Sequence, residues 1–126
     1  MDEQSLQELV ERLRLVGTDQ QQVEVKSAVG KSVLETLSAF SNGAGGIVLI
    51  GLAEREGFSP VPGFDAVAQR DALLSRCAEM TPTVRPDVLL MPFEGNVVLV
   101  ATVPEMLPRD KPCYVTARGR YQGSYL

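Results

Sequence analysis

No histidine occurs among the 126 residues. Histidine triads, histidine-ligated zinc and histidine general bases are therefore excluded. Cysteine is scarce as well. Cys77 and Cys113 stand far apart, outside any CxxC spacing. A thiolate zinc site lacks ligands, and the two thiols read as reduced and structural. Long apolar runs are missing. The run Ile47 to Leu52 is interrupted by Gly51 and is far too short to span a bilayer. The start, Met1-Asp2-Glu3-Gln4, is acidic with no apolar segment behind it, so it does not read as a signal peptide. The expected compartment is the cytoplasm, with no membrane partner. Positive charge is also short: 12 basic against 16 acidic residues leave a net charge of -4. A whole-surface electrostatic footprint for nucleic acid is absent, so such contact needs a local basic patch or a bound cation.

What is present fits one globular domain spanning residues 1–126. Hydrophobic residues make up 44% and charged residues 22%, which excludes a disordered or collagen-like chain. Leu6, Leu9, Val10 and Leu13 have helical spacing and predict a helix over Ser5 to Leu15, capped by Asp2 or Ser5 and ended by Gly17. Val23-Glu24-Val25-Lys26 alternates as a strand with one wet face. Val33, Leu34, Leu37 and Phe40 predict a second helix, Ser32 to Ser41, stopped by Asn42-Gly43. The uncharged run Ile47 to Ile50 reads as a central strand buried on both faces. Glu54 to Pro62 reads as loop. A third helix is expected over Asp65 to Met80, with Val67, Leu73, Leu74 and Cys77 inside. Asp87 to Phe93 and Asn96 to Val103 form a hairpin around Glu94-Gly95. Cys113 to Val115 and Tyr121 to Leu126 are final strand candidates. This order predicts an α+β fold: a mixed, largely antiparallel β-sheet flanked by about three helices. Ending on Tyr125-Leu126 inside an apparent strand, the chain reads as the N-terminal part of a longer protein.

Three residue sets carry candidate chemistry. Gly43-Ala44-Gly45-Gly46 has the composition of a phosphate loop, but the order is helix, glycines, strand. A phosphate loop needs strand, glycines, helix. A helix cap with a tight entry into the next strand is the alternative. Gly30-Lys31-Ser32, at the start of the second helix, is the better anion site. The second set is acidic. Asp19, Glu24 and Glu54 would converge at one sheet end if their strands are neighbours. Such an oxygen-rich, histidine-free set suits Mg²⁺ or Mn²⁺. Lys26 would share the face of Glu24 and hold a phosphate or balance the carboxylates; an ordinary solvated strand face is the alternative. The third set is Arg109, Lys111, Arg118 and Arg120 with interleaved Tyr114, Tyr121 and Tyr125. Arginine and tyrosine on strands can hold phosphates and stack on bases, and a solvated hairpin is again the alternative.

Taken together, these segments resemble a known family. Val23-Glu24-Val25-Lys26 resembles its hEhK strand. Leu37 through Gly46 resembles its AF.N..GG segment, and Ile47 through Leu52 its hIGh strand. Val103-Pro104 and Lys111-Pro112-Cys113-Tyr114-Val115 resemble its ending. The family is the Schlafen AlbA_2 domain, also labelled divergent AAA-4 or DNA-binding domain. The resemblance covers Leu6 to Leu126. It implies the N-terminal part of a bacterial transcriptional regulator or helicase-like protein that contacts nucleic acid, DNA before RNA. The phosphate contacts implied lie on Lys26, Lys31 and Ser32, on Asn42, Gly45 and Gly46, and on Arg118 and Arg120. The family's labels also imply ATP as an alternative ligand. Eukaryotic Schlafen ribonucleases imply a third reading, in which Asp19, Glu24 and Glu54 hold Mg²⁺ or Mn²⁺ and Lys26 stabilises the transition state. A homodimer through an exposed strand edge near the C-terminus is a further expectation.

Overall fold

The computed structural model of the chain describes residues 1–17 and 22–126. Helix α1 (Glu3–Val16) begins where the Asp2 carboxylate accepts the Ser5 amide at 2.7 Å. That bond holds the Asp2 carboxyl below its ordinary pKa, because the charged form is the better acceptor. The helix stops at Gly17, whose φ of 77° lies in the left-handed region. Its apolar stripe is the one the spacing predicts: Leu6, Leu9, Val10 and Leu13 are all buried.

Strand β1 (Val23–Lys26) runs parallel to β2 (Gly46–Ile50), with α2 (Ser32–Asn42) crossing between them. Strands β6 (Asp87–Phe93) and β7 (Asn96–Val103) form the predicted hairpin. Glu94 and Gly95 both have positive φ, 47° and 80°, as a two-residue turn matched to strand twist requires. The main sheet has the order β1-β2-β7-β6, parallel at the first pair and antiparallel elsewhere. Two small sheets complete the described residues. One pairs β3 (Leu52–Ala53) with β4 (Ser59–Pro60), and the other pairs β5 (Met80–Thr81) with β8 (Tyr114–Val115). The architecture is α+β, as expected.

Strand alternation divides the core into two layers. On one face, Val23, Leu49, Val98 and Val100 pack under α1. On the other, Val48, Ile50, Leu99 and Ala101 pack under α2 and α3 (Ala66–Cys77). Removing Leu13 or Leu37, both fully buried, costs about 2–5 kcal/mol by transfer and cavity effects. The layering also explains why Ile47 to Ile50 lacks charge: the strand is covered on both sides.

Four expectations are corrected. Glu54 to Pro62 is not all loop: Glu54–Glu56 forms a 3-10 turn and Ser59–Pro60 is strand β4. Helix α3 ends at Cys77 rather than Met80, which joins β5. Its buried face is Ala66, Leu73 and Cys77, while Val67 and Leu74 are half exposed. Each is one residue, about 100° of helix, past a buried position. Finally, Tyr121 to Leu126 forms no strand. Gly123 N–H donates to Gly119 O at 2.8 Å in a turn, and only a single bridge joins Ser124 to Tyr114.

Both cysteines are free and buried in the α2–α3 layer. Desolvation raises the Cys77 thiol from its ordinary 9.0 to about 11, and the nearby Cys113 adds to this. Burial also raises Cys113. Such thiols are poor nucleophiles, as expected of structural cysteines.

Candidate nucleic-acid interface

Alternation along β1 puts Val23 and Val25 under α1 and turns Glu24 and Lys26 to the α2 side. At the end of β1 the chain turns through Ser27 to Gly30 into α2. Lys26 Nζ donates to Ser32 Oγ at 3.1 Å, and Glu24 Oε1 lies 3.8 Å from the same ammonium. The Lys26 side chain is only 13% exposed, so its charge is fixed in place rather than swept through solvent. Lys31 sits at the helix start, exposed, and no side chain caps the first turn. The turn itself is anchored from α3: Gln69 Oε1 accepts the Val29 amide at 2.7 Å.

Lys26, Val29 and Ser32 line a cleft of about 580 Å³. Its walls are Val25 to Gly30 and Ser32 on one side and Leu52 to Glu56 on the other. It opens at the carboxyl ends of the parallel pair β1–β2, beside the N-terminus of the crossover helix. Open sheets with parallel strands place ligands there, where the helix dipole favours an anion, although the Val33 and Leu34 amides already donate to Gly30 O and Lys31 O.

The structure thus brings Lys26, Ser32 and Glu54 to one cleft and sets Glu24 beside Lys26. Asp19, the third carboxylate of the expected metal set, lies outside the described residues. Among those residues no group of three metal-ligating side chains assembles. The described donors therefore do not by themselves make a metal centre, and no step is drawn through one.

The other expected contacts fall elsewhere. Gly45 and Gly46 line a separate cleft of about 870 Å³ at the opposite ends of β1 and β2, with Ser5, Glu8 and Arg12 of α1. The Gly43 and Gly45 amides donate to Ala39 O and Phe40 O, closing α2. Gly45 has φ of 80°, and a Cβ there would lie 2.6 Å from Val103 O. The carboxamide of Asn42 is held by Ser38, Cys113 and Tyr125. Arg118 lies along α2, 3.9 Å from Glu35 and 3.2 Å from the Tyr125 hydroxyl oxygen, to which it donates. Arg120 is exposed on the turn beyond.

Sequence reasoning missed the polar stripe Glu35–Ser38–Asn42. Its i, i+3, i+7 spacing was the available signal. Tyr125 N–H donates to Ser38 Oγ at 2.8 Å, so this stripe seats the end of the described chain on α2 and brings Arg118 to the same helix as Ser32.

The chain matches the model of the family described as Schlafen, AlbA_2 over residues 19–125. It belongs to the Schlafen AlbA_2 family. Its fold resembles the N-terminal domain of a RecG-related protein from Nitrosomonas europaea, a protein named for its relation to an ATP-dependent DNA helicase. That match has a TM-score of 0.76 and 32% identity, and covers 94% of this chain and 84% of that one. The DIP2311 protein from Corynebacterium diphtheriae shares the fold at a TM-score of 0.56 and 16% identity. Here the match covers 90% of this chain and 24% of that one. No curated protein matches. Among the described residues, no helix of this AlbA_2 domain is long and apolar enough to cross a membrane.

Proposed function

We propose that this AlbA_2 domain is a nucleic-acid-binding module of a cytoplasmic transcriptional regulator, contacting DNA in preference to RNA. Family membership and the helicase-related neighbour support the class of partner. The observation that carries the location is the Lys26–Ser32 hydrogen bond at the uncapped start of α2. A phosphate oxygen entering the cleft meets the Lys26 ammonium and the Ser32 hydroxyl together, at the positive end of the α2 dipole. Lys31, exposed and one residue before Ser32, adds a second charge at the helix start. Arg118 and Arg120 extend the contact along α2. With a net charge of -4, the domain repels polyanions at long range, so binding depends on these local contacts and falls steeply with salt.

The test is a low-salt titration of labelled duplex DNA and hairpin RNA. Duplex binding that weakens in Lys26→Gln and in Lys31→Gln supports the reading. Equal affinity of wild type and both variants overturns it.

The metal-dependent ribonuclease reading draws on one observation, Glu54 lining the same cleft as Lys26. Under it, RNA cleavage requires Mn²⁺ or Mg²⁺ and is lost in Glu24→Gln. The ATP reading predicts a thermal shift with Mg-ATP.

A further inference from the structure

The outer edge of β1, whose Val25 and Lys26 also line the cleft, carries backbone groups outside the β1–β2 ladder. The bonds from Ile47 N–H to Gln22 O and from Gly51 N–H to Lys26 O fix the phase of the ladder. With Val23 opposite Ile47 and Lys26 opposite Ile50, the backbone groups of Glu24 and Lys26 face β2, and those of Val23 and Val25 face away. β1 ends the order β1-β2-β7-β6. Among the described residues, no backbone–backbone hydrogen bond reaches the amide or carbonyl of Val23 or Val25. An edge of this kind is a template for another strand.

The sequence of the edge selects what that strand is. A two-fold axis through Val25 places it opposite Val25 of a second copy as a hydrogen-bonded pair, exchanging both bonds in phase with the free groups. Glu24 then faces Lys26 of the second copy, twice, in the flanking non-hydrogen-bonded pairs, where Cα atoms come within about 4.5 Å. The neighbouring two-fold registers centre on Glu24 or on Lys26. They set carboxylate against carboxylate or ammonium against ammonium, which is destabilising. Of the three, only the Val25-centred register is charge-complementary. It also keeps both charged pairs on the α2 side and joins the two Val25 side chains on the α1 side.

We propose that the domain self-associates through β1, antiparallel to β1 of a second copy, in the register that opposes Glu24 to Lys26. The interface is isologous and closes on itself. It joins two four-stranded sheets into one of eight and sets two Lys26–Ser32 clefts on one face.

Sedimentation equilibrium over a concentration series tests this. Wild type follows a monomer–dimer equilibrium that shifts toward monomer as salt rises. Glu24→Lys and Lys26→Glu, each alone, sediment as monomers, because each sets like charges opposite one another. Mixing the two variants in equal amounts restores a dimer, since every cross-strand pair is again of unlike charge. Val25→Pro removes the outward N–H, together with a partly buried side chain on the α1 side, and is monomeric with an unchanged circular dichroism spectrum. If Val25→Pro does not fold, the charge-reversal mixture decides. A wild type that stays monomeric at every concentration overturns the proposal. So does a dimer that both single reversals leave intact, or a mixture that stays monomeric.

Discussion

Asn42 and Cys113 hold each other through two hydrogen bonds running in opposite directions. The Cys113 amide donates to Asn42 Oδ1 at 2.7 Å, and Asn42 Nδ2 donates to Cys113 O at 3.0 Å. The same Nδ2 also donates to Tyr125 O at 3.0 Å. One side chain at the end of α2 thus fixes two segments more than 70 positions away in sequence. Asn42→Ala leaves the Cys113 amide without its acceptor. A loss of about 2–3 kcal/mol is expected in urea melts, from one or two buried backbone groups left unpaired. Nucleic-acid affinity measured well below the melting transition falls only by the Arg118 contribution, because Asn42 holds Tyr125 and Tyr125 holds Arg118, while the Lys26–Ser32 cleft lies at the other end of α2.

Gly45→Ala is expected to weaken the fold. Its left-handed backbone costs an L-residue about 1–2 kcal/mol, and the added Cβ meets Val103 O at 2.6 Å. Gly57→Ala is the control: φ is also positive, at 65°, but nothing lies within 4 Å of the new atom. Thermal melts should therefore show a larger drop at position 45 than at position 57.

Gln69 reaches the cleft from α3 without lining it. Gln69→Leu removes the acceptor of the Val29 amide and frees the turn that presents Lys31 and Ser32. Affinity for duplex should fall severalfold while the salt dependence keeps its slope. Lys31→Gln should lower that slope by about 0.9, because one fewer phosphate is neutralised on binding. Titrations at several salt concentrations separate the two.

The thiols give a pH prediction. The native state holds the Cys77 proton up to about pH 11, whereas an unfolded thiol releases it near 9.0. The stabilisation from this group is complete below pH 9 and is lost as pH rises through about 11. Denaturant midpoints should fall across that alkaline window, and less so in Cys77→Ala relative to its own neutral value. Thiol reagents should label neither cysteine until the protein unfolds.

Much of this was legible in the chain. Leu6, Leu9, Val10 and Leu13 specify α1 because local spacing alone decides which face is buried. The Glu94-Gly95 turn was legible as a Gly-containing break between two β-rich runs, and Gly95 takes its positive φ at no steric cost. The Lys26–Ser32 cleft was legible in part, as two nearby motifs whose meeting required β1 and β2 to be parallel neighbours. What was hidden depends on distant contacts. Nothing near Val67 says that α3 turns it outward; the position of the sheet does. Tyr121 to Leu126 has strand composition, but Gly119 and Gly123 close a turn, and Ser38 and Asn42 fix the path of the chain. The metal reading stays where the sequence left it, because Asp19 is outside the described residues.

Entry of nucleic acid at the start of α2 is open to a direct check. Amide chemical shifts of the labelled domain can be followed during titration with a short DNA duplex at low salt. The largest shifts should fall on Lys26 to Val33, with smaller ones around Arg118 and little change around Gly45 and Gly46. Shifts centred on Gly45 and Arg12 with Lys26 to Val33 unmoved, or no shifts at saturating duplex, would contradict it.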